Sequence, residues 1–349
     1  MSSPPPFLVD DLVEEVLLRL PPDDPACLVR ASAACKLWRR ILAAPRFRRR
    51  YRQFHGTPPV LGLFHKDGRF APTASLPRAL PDRPHWRALD CRHGRALFVT
   101  YTGYPAPVSP LDLAVLDPLT GRQRRVPLPF VGELSFSAGV LCATKGCGHH
   151  GWAFPRGRRG HQSGAKPHIR DALYFNVDGG IIKCKLGTLC LTVFDKPIDG
   201  NGALMKTEDG KMGFAAVVDV TNLAMWSRET GPEGDMEWAK LRVIDLKKLL
   251  PDGPKMVGWH SLLWWIPTGK SQGAYLSGFA VGTRVIFVST DAGFYMVDLK
   301  SRRTRKVSCD SRGKTCFPYT NFYIPAMEAG LRARGDGLMF DVFGKFKLL

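Results

Sequence analysis

LVDDLVEEVLLRLP, residues 8–21, carries a clear helical pattern near the start of the chain. Asp11 is a candidate N-cap, with Glu14 three residues later in the spacing of a capping box. Pro21 and Pro22 end the helix, because proline cannot continue the backbone hydrogen bonds. The apolar side chains predict one wide stripe on an amphipathic helix. They are Leu12, Val13, Val16, Leu17 and Leu20.

A second helical pattern follows at once, in LVRASAACKLWRRIL at residues 28–42. Asp23 or Asp24 can cap it, and Pro25 suits the first helical position, where its missing N–H is harmless. Pro45 interrupts the chain again, and a last stripe of Phe47, Tyr51 and Phe54 follows among arginines. We therefore predict three or four short helices. Such a small segment buries its apolar surface poorly alone, so it must pack on a neighbouring domain or a partner.

Residues 8–21 and 28–42 together resemble the two halves of an F-box. The shared features are an acidic first turn, an Arg-Leu-Pro exit at residues 19–21, and Cys-Lys-Leu-Trp at residues 35–38. Two positions depart from the usual pattern: Val9 stands where most F-boxes have proline, and Ala34 where valine is usual. The alternative is a generic amphipathic helical hairpin that caps the next domain.

The resemblance implies binding and not catalysis. Apolar side chains of an F-box insert into a Skp-type adaptor, which joins the receptor to a cullin scaffold. An apolar stripe without an internal mate also fits a helix-in-groove ligand. Matching positions give these adaptor-binding candidates: Leu8, Leu12, Val16, Leu20, Pro21, Leu28, Cys35 and Trp38. Trp38 could face the adaptor or bridge the helices internally.

Composition indicates an intracellular protein. The nine cysteines are scattered, odd in number and without a CxxC pair, which favours free thiols in a reducing compartment. The N-terminus lacks a basic segment followed by an apolar run, so we expect no secretory signal. No apolar stretch approaches the roughly 20 residues that span a bilayer. We therefore expect the cytoplasm, the nucleus or both, and no membrane partner.

The net charge of +19 raises the possibility of a polyanionic partner. Arginine-rich clusters occur at residues 46–52, 156–159 and 302–306. No nucleic-acid motif accompanies them in the sequence, so we interpret them as solvated faces and do not expect a nucleic-acid partner.

Beyond residue 57 the pattern changes to short β-type runs separated by turn residues. Asp-Gly-Gly at residues 178–180 predicts a tight hairpin. An apolar residue followed by aspartate recurs at Asp117, Asp195, Asp245 and Asp298, and the later intervals are about 50 residues, the size of a propeller blade. We expect these aspartates to cap turns and to have no catalytic role.

We predict an α+β multidomain chain. Residues 1–56 form a small all-α F-box module, and residues 57–349 form an all-β, propeller-like domain that recruits the substrate. Dividing the β region by the repeat gives about six blades. The alternative is an irregular β-sandwich or barrel.

Four phrases resemble the C-terminal domains of the large plant, especially grass, F-box family. They are CRHGR at residues 91–95, LDPLTG at 116–121, MWSRETGP at 225–232 and YTNFYIPAME at 319–328. Residues 143–168 depart from that pattern and suggest a damaged blade or a long loop. The resemblance carries no known chemistry.

No cofactor is expected. Six thiols and imidazoles crowd into one stretch, but their spacing fits no common zinc site, so we assign no metal. They are Cys142, Cys147, His149, His150, His161 and His168. Sequence motifs of hydrolases, kinases and nucleotide-binding enzymes are also missing.

Taken together, the sequence predicts a non-catalytic substrate receptor of a Skp–cullin–F-box ubiquitin ligase, with an unidentified target protein. The alternative is a stand-alone basic β-propeller that binds nucleic acid or acidic protein and never meets a ligase.

Overall fold

The N-terminal helices form as the punctuation of the sequence suggests. The computed structural model has α1 (Asp10–Leu18), α2 (Pro25–Ala34), α3 (Lys36–Ala43) and α4 (Pro45–His55). It describes residues 10–74, 76, 80, 83, 85–92, 94–102, 109–127, 138–139, 168–169, 172–177, 179–185, 188, 190–200, 202–231, 235–251, 274–280, 282–290, 292–307 and 315–324.

Helix starts were predicted with mixed success. The cap of α2 is confirmed, because the Asp24 carboxylate accepts a hydrogen bond from the Ala26 N–H at 3.1 Å and Pro25 begins the helix. The capping box of α1 is wrong. Asp11 lies inside the first turn, and the Glu14 carboxylate binds Arg50 of α4 instead.

Five antiparallel sheets follow the helices. Blade 1 pairs β1 (Val60–His65) with β2 (Phe70–Pro72) and β19 (Cys316–Thr320). Blade 2 contains β3 (Trp86–Arg92), β4 (Arg95–Thr102), β5 (Ser109–Leu116) and β6 (Gln123–Pro127). Blade 3 contains β7 (His168–Ile169), β8 (Ala172–Val177), β9 (Gly180–Lys185) and β10 (Leu191–Phe194).

The last two blades have four strands each. Blade 4 contains β11 (Gly202–Lys206), β12 (Met212–Val218), β13 (Asn222–Thr230) and β14 (Met236–Asp245), followed by a 3-10 turn at Leu246–Lys248. Blade 5 contains β15 (Tyr275–Phe279), β16 (Val285–Thr290), β17 (Gly293–Asp298) and β18 (Thr304–Val307).

The sheets are arranged as a β-propeller, because a blade buries both of its faces against different neighbours. In β12, Phe214 packs in one apolar cluster with Tyr174 of blade 3. The next residue, Ala215, packs in another cluster with Leu276 of blade 5. Successive side chains on a strand point to opposite faces, so an uninterrupted apolar run such as residues 212–216 suits this double burial.

The ring is closed by the two ends of the β region. Strand β19 pairs antiparallel with β1, from Val60 opposite Thr320 to His65 opposite Cys316. Strand β19 also contacts β3 of blade 2 and β15 of blade 5. Blade 1 is thus built from chain segments far apart in sequence.

The prediction of about six blades is wrong: the described residues form five. The repeated aspartates sit at two non-equivalent places, which explains the error. Asp117 and Asp298 lie at the end of the third strand of their blades, whereas Asp195 and Asp245 lie at the end of the fourth. The spacing between them therefore does not measure one blade. The predicted hairpin is confirmed by the antiparallel pairing of β8 with β9, in which Val177 lies opposite Gly180.

The helical module packs on the propeller at one end. Phe322 and Ile324, just after β19, are buried in one core with Leu17, Leu28 and Tyr51 of the helices. The Tyr51 and Phe322 rings meet edge to face, with centroids 6.0 Å apart. The expectation that the helices need a neighbour is confirmed, and we call this side of the propeller the helical end.

The opposite side follows from strand direction. Strand β1 starts at the helical end, five residues after α4 ends at His55, and runs away from it. At about 3.3 Å per residue, its six residues carry the chain about 17 Å. The β1–β2 turn at residues 66–69 therefore lies on the far end of the propeller.

That far turn requires glycine at position 68. Gly68 has φ +84°, and an added Cβ would lie 2.6 Å from the Trp86 carbonyl oxygen. Gly121 has a similar φ, +71°, but nothing lies within 4 Å of the added Cβ. We expect Gly68→Ala to lower the free energy of unfolding by about 2–4 kcal/mol and Gly121→Ala by about 1 kcal/mol, because only the first adds a clash to the strain. Urea unfolding followed by tryptophan fluorescence checks this, and equal losses would contradict the close approach.

Candidate functional site

The first helix presents two apolar side chains to solvent. Leu12 and Val16 are each 53% exposed, whereas Val13 and Leu17 are buried in the core. The wide stripe predicted from the sequence is therefore divided: one row packs inward and the other remains open. Exposed apolar side chains on an ordered helix are typical of a docking surface.

Other predicted positions flank this row. Leu20 is half-buried against the helical core, and Pro21 is exposed after the end of α1. Cys35 is exposed and caps α3, where its sulfur accepts a hydrogen bond from the Trp38 N–H at 3.4 Å. Trp38 is half-buried and packs on the helical core with part of its surface open.

Two predicted positions stand apart. Leu28 is 0% exposed and contributes to the core that holds α2. Its side chain stabilises the packing of the helices and is not accessible to a partner. Leu8 lies outside the described residues.

The sequence pattern missed Phe54. It was grouped in one stripe with Phe47 and Tyr51, which are buried, but Phe54 is 56% exposed. Its position near the C-terminal end of α4, beyond the buried turn, explains the difference. The one sequence signal that could have indicated its exposure was its position at the C-terminal end of the stripe.

A cross-helix ion pair holds α1 against α4. The Arg50 guanidinium donates to Glu14 at 2.6 Å and also to Glu15. These contacts lower the pKa of Glu15 and raise the pKa of Arg50, through hydrogen bonds to the charged forms. Glu14 is mostly buried, at 9% exposure, so its carboxylate depends on this partner. Arg40 of α3 reaches Asp10 at 3.2 Å, which adds a second tie to α1.

Arg50→Ala is expected to lower the midpoint of thermal unfolding of the helical module by a few degrees, because it leaves the Glu14 carboxylate buried without its partner. Arg50→Lys should restore only part of the loss, because the lysine ammonium group keeps the charge but cannot bind both carboxylates as the planar guanidinium does. Arg49→Ala is the matched control: Arg49 is exposed, without an ion pair among the described residues. Differential scanning calorimetry checks the order, and equal effects at 49 and 50 would contradict it.

Three of the four phrases that resemble plant F-box proteins come together at the helical end. Arg95 pairs with Asp117 at 2.9 Å. Gly94 lies against Asn321, whose amide donates to the Tyr319 hydroxyl at 3.0 Å. Burial raises the pKa of Tyr319. These residues tie the closing strand to blade 2, which gives residues 91–95, 116–121 and 319–321 a structural role.

The aspartates of the internal repeat cap turns as expected at three sites. Asp117 accepts from the N–H groups of Leu119 and Thr120. Asp298 does the same for Lys300 and Ser301, and Asp245 for Lys247. At Asp195 the backbone carbonyl accepts from the Trp238 indole N–H at 3.0 Å. The carboxylates of Asp117, Asp245 and Asp298 are thus engaged in local structure.

No group of three His, Cys, Asp or Glu side chains is placed to hold a metal ion within the described part of the chain. Five of the six zinc candidates weighed from the sequence lie outside it, and the sixth, His168, is described only as part of β7. Six cysteines are described, all as free thiols: Cys27, Cys35, Cys91, Cys184, Cys190 and Cys316. Of the helices that the structure describes, none has the length and apolar character needed to cross a bilayer.

The fold and this surface define a modular protein, in which a helical module with an open apolar row is joined to a five-bladed propeller. Residues 7–50 match the family model of the F-box domain. The chain thus carries an F-box, and the match supports its place among F-box proteins. F-box domains bind Skp-type adaptors in ubiquitin ligases of the Skp–cullin–F-box class.

Solved structures resemble this chain only distantly. A quinonprotein alcohol dehydrogenase-like protein from Bacteroides thetaiotaomicron is 11% identical with a TM-score of 0.36; the match covers 72% of this chain and 65% of that one, just under two thirds. A nidogen/laminin complex gives 9% and 0.34, over 73% and 95% of the two chains. The Cps50 (Swd1) β-propeller domain of Myceliophteria thermophila gives 9% and 0.29, over 73% and 88%. A search of curated proteins finds no match.

Proposed function

We propose that this chain is the substrate-receptor subunit of a Skp–cullin–F-box ubiquitin ligase. The observation that carries the proposal is the F-box match at residues 7–50 combined with the exposed Leu12 and Val16 on its first helix. The match supplies the kind of partner, and the exposed row supplies a surface for it.

The proposed adaptor surface is built on the outward positions of the module. Leu12 and Val16 are its centre, and Trp38 is an aromatic anchor at its side, since large side chains dominate such interfaces. The surface is completed by Leu20, Pro21 and Cys35. Leu8 is included on the basis of the sequence match alone. Leu28 acts indirectly, by holding α2 in place.

In this proposal residues 1–56 attach the chain to the ligase, and residues 57–349 hold the target. The chain is non-catalytic: other subunits transfer ubiquitin, and this one raises the effective concentration of target lysines near them. The four phrases of the β region support a place in the plant, grass-type F-box family, and an intracellular site of action in cytoplasm or nucleus fits the ligase.

Reconstitution tests the proposal. The full chain, a Skp-type adaptor and a cullin scaffold are mixed and separated by size-exclusion chromatography. We expect the chain to enter the cullin-containing peak only when the adaptor is present. A chain that stays outside this peak in the presence of both proteins would contradict ligase attachment. That result would support the alternative of a stand-alone β-propeller, which the F-box match does not favour.

A further inference from the structure

Basic side chains gather with two aromatic rings at the far end of blades 1 and 2. Lys66 lies in the β1–β2 turn, and Arg87 is the second residue of strand β3, next to Trp86. Arg83 precedes β3, and Arg125 lies on β6, the outer strand of the same blade. We call these four residues the far-end basic cluster. They lie up to 59 positions apart in sequence and come from two adjoining blades. Arg83 and Arg125 lie beside Trp86 on one side of β3. Arg87, the next residue of the strand, lies on the other side, near Tyr101 and Lys66.

The rings hold the guanidinium groups of this cluster. The Arg83 and Arg125 guanidinium carbons lie 5.0 Å and 5.6 Å from the centre of the Trp86 ring. The Arg87 guanidinium lies 5.1 Å from the centre of the Tyr101 ring. A guanidinium stacked on an aromatic ring has a fixed plane, and this orientation suits recognition of a planar carboxylate.

The positive charge of the cluster is only partly compensated. Neither Lys66 nor Arg87 has an ion-pair partner among the described residues. Burial lowers the pKa of Lys66, and the charge of Arg87 lowers it further. Of the nearby acids, Asp67 binds Arg69 at 2.9 Å, and Asp112 is 3.8 Å from Arg125. Cations that repel one another in this way favour a bound anion.

The form of the cluster favours an acidic protein segment over nucleic acid. Proteins that bind single-stranded nucleic acid without sequence preference stack its bases on open aromatic side chains. Here Trp86 is only 8% exposed and carries two guanidinium groups, and Arg87 lies over Tyr101. The ring faces are therefore already covered by guanidinium groups and are not open to stacking bases.

We propose that the far-end basic cluster binds an acidic segment of the target protein through its aspartate and glutamate carboxylates. This inference rests on the proposed function and deepens it by naming the chemistry of the target. The cluster lies on the end of the propeller opposite the F-box, so adaptor and target can be bound together without overlap.

A binding measurement with the full chain tests the cluster. The probe is a fluorescein-labelled peptide of alternating glutamate and serine, and fluorescence anisotropy at low salt reports binding. We expect saturable binding that weakens as salt rises, because the contacts are electrostatic. The double variant Lys66→Gln/Arg87→Gln should bind at least about tenfold more weakly, which is about 1.4 kcal/mol.

The matched control is Lys300→Gln/Arg303→Gln. It removes the same two kinds of charge from an exposed turn of blade 5, and it should leave the affinity unchanged. Retained adaptor binding by both variants shows that the fold is intact, which separates this test from that of ligase attachment. Equal losses in the two variants would overturn the proposal in favour of unspecific charge attraction. So would no preference over a glutamine–serine peptide, or binding confined to a phosphoserine peptide or to single-stranded RNA of equal charge.

Discussion

Leu12→Asp/Val16→Asp is expected to weaken binding of the chain to a Skp-type adaptor by at least about a hundredfold. Both side chains are 53% exposed on α1, so replacing them should change the stability of the free chain little. In the complex each would place a charge in an apolar groove, and a loss of about 1.4 kcal/mol or more at each position gives this factor. Isothermal titration calorimetry with purified adaptor measures it.

The control for this prediction is Leu241→Asp/Val243→Asp on β14 of blade 4. These side chains are 49% and 48% exposed, which matches the exposure on α1, but they lie on the propeller. We expect their adaptor affinity to equal that of the unmodified chain. A folded Leu12/Val16 variant that binds normally would show that this row is not the docking surface.

Tyr51→Ala is expected to lower the free energy of unfolding by about 3–5 kcal/mol, the usual cost of removing a buried aromatic side chain. Tyr51 is 0% exposed and lies between Phe47 and Phe322, and its hydroxyl donates to the Leu20 carbonyl at 2.8 Å. Because Phe322 belongs to the segment that follows β19, the loss should loosen the helical module from the propeller. Urea unfolding of the full chain measures it.

Two further substitutions resolve that loss into its parts. Tyr51→Phe removes only the hydroxyl and should cost about 1 kcal/mol, the net value of one hydrogen bond. Phe54→Ala, three residues on but 56% exposed, should change stability by no more than about 0.5 kcal/mol. If Phe54→Ala cost as much as Tyr51→Ala, the assignment of buried and open faces on α4 would be wrong.

Local signals in the sequence predicted most of the local structure, although the capping box of α1 was wrong. The cap of α2 at Asp24, the hairpin after Val177 and the turn-capping aspartates depend on residues within a few positions of one another. Which apolar side chains of α1 face inward was not predictable in the same way. Leu12 and Val13 are neighbours on one wide stripe, and only packing on α4 and Phe322 separates them.

Long-range features were beyond the sequence pattern for the same reason. The blade count failed because the aspartate motif marks both third and fourth strands, so its spacing mixes two registers. The packing of arginine side chains on Trp86 was not predicted, because Arg125 reaches Trp86 only when β6 and β3 belong to one blade. Both depend on strand pairing between distant segments.

The central claim is that the N-terminal helices attach this chain to a Skp-type adaptor. Size-exclusion chromatography with light scattering, applied to the full chain mixed with purified adaptor, tests it most directly. We predict a stable complex of one chain with one adaptor, lost in the Leu12→Asp/Val16→Asp variant and kept in the Leu241→Asp/Val243→Asp control. Separate elution of the folded chain and the adaptor would contradict the claim.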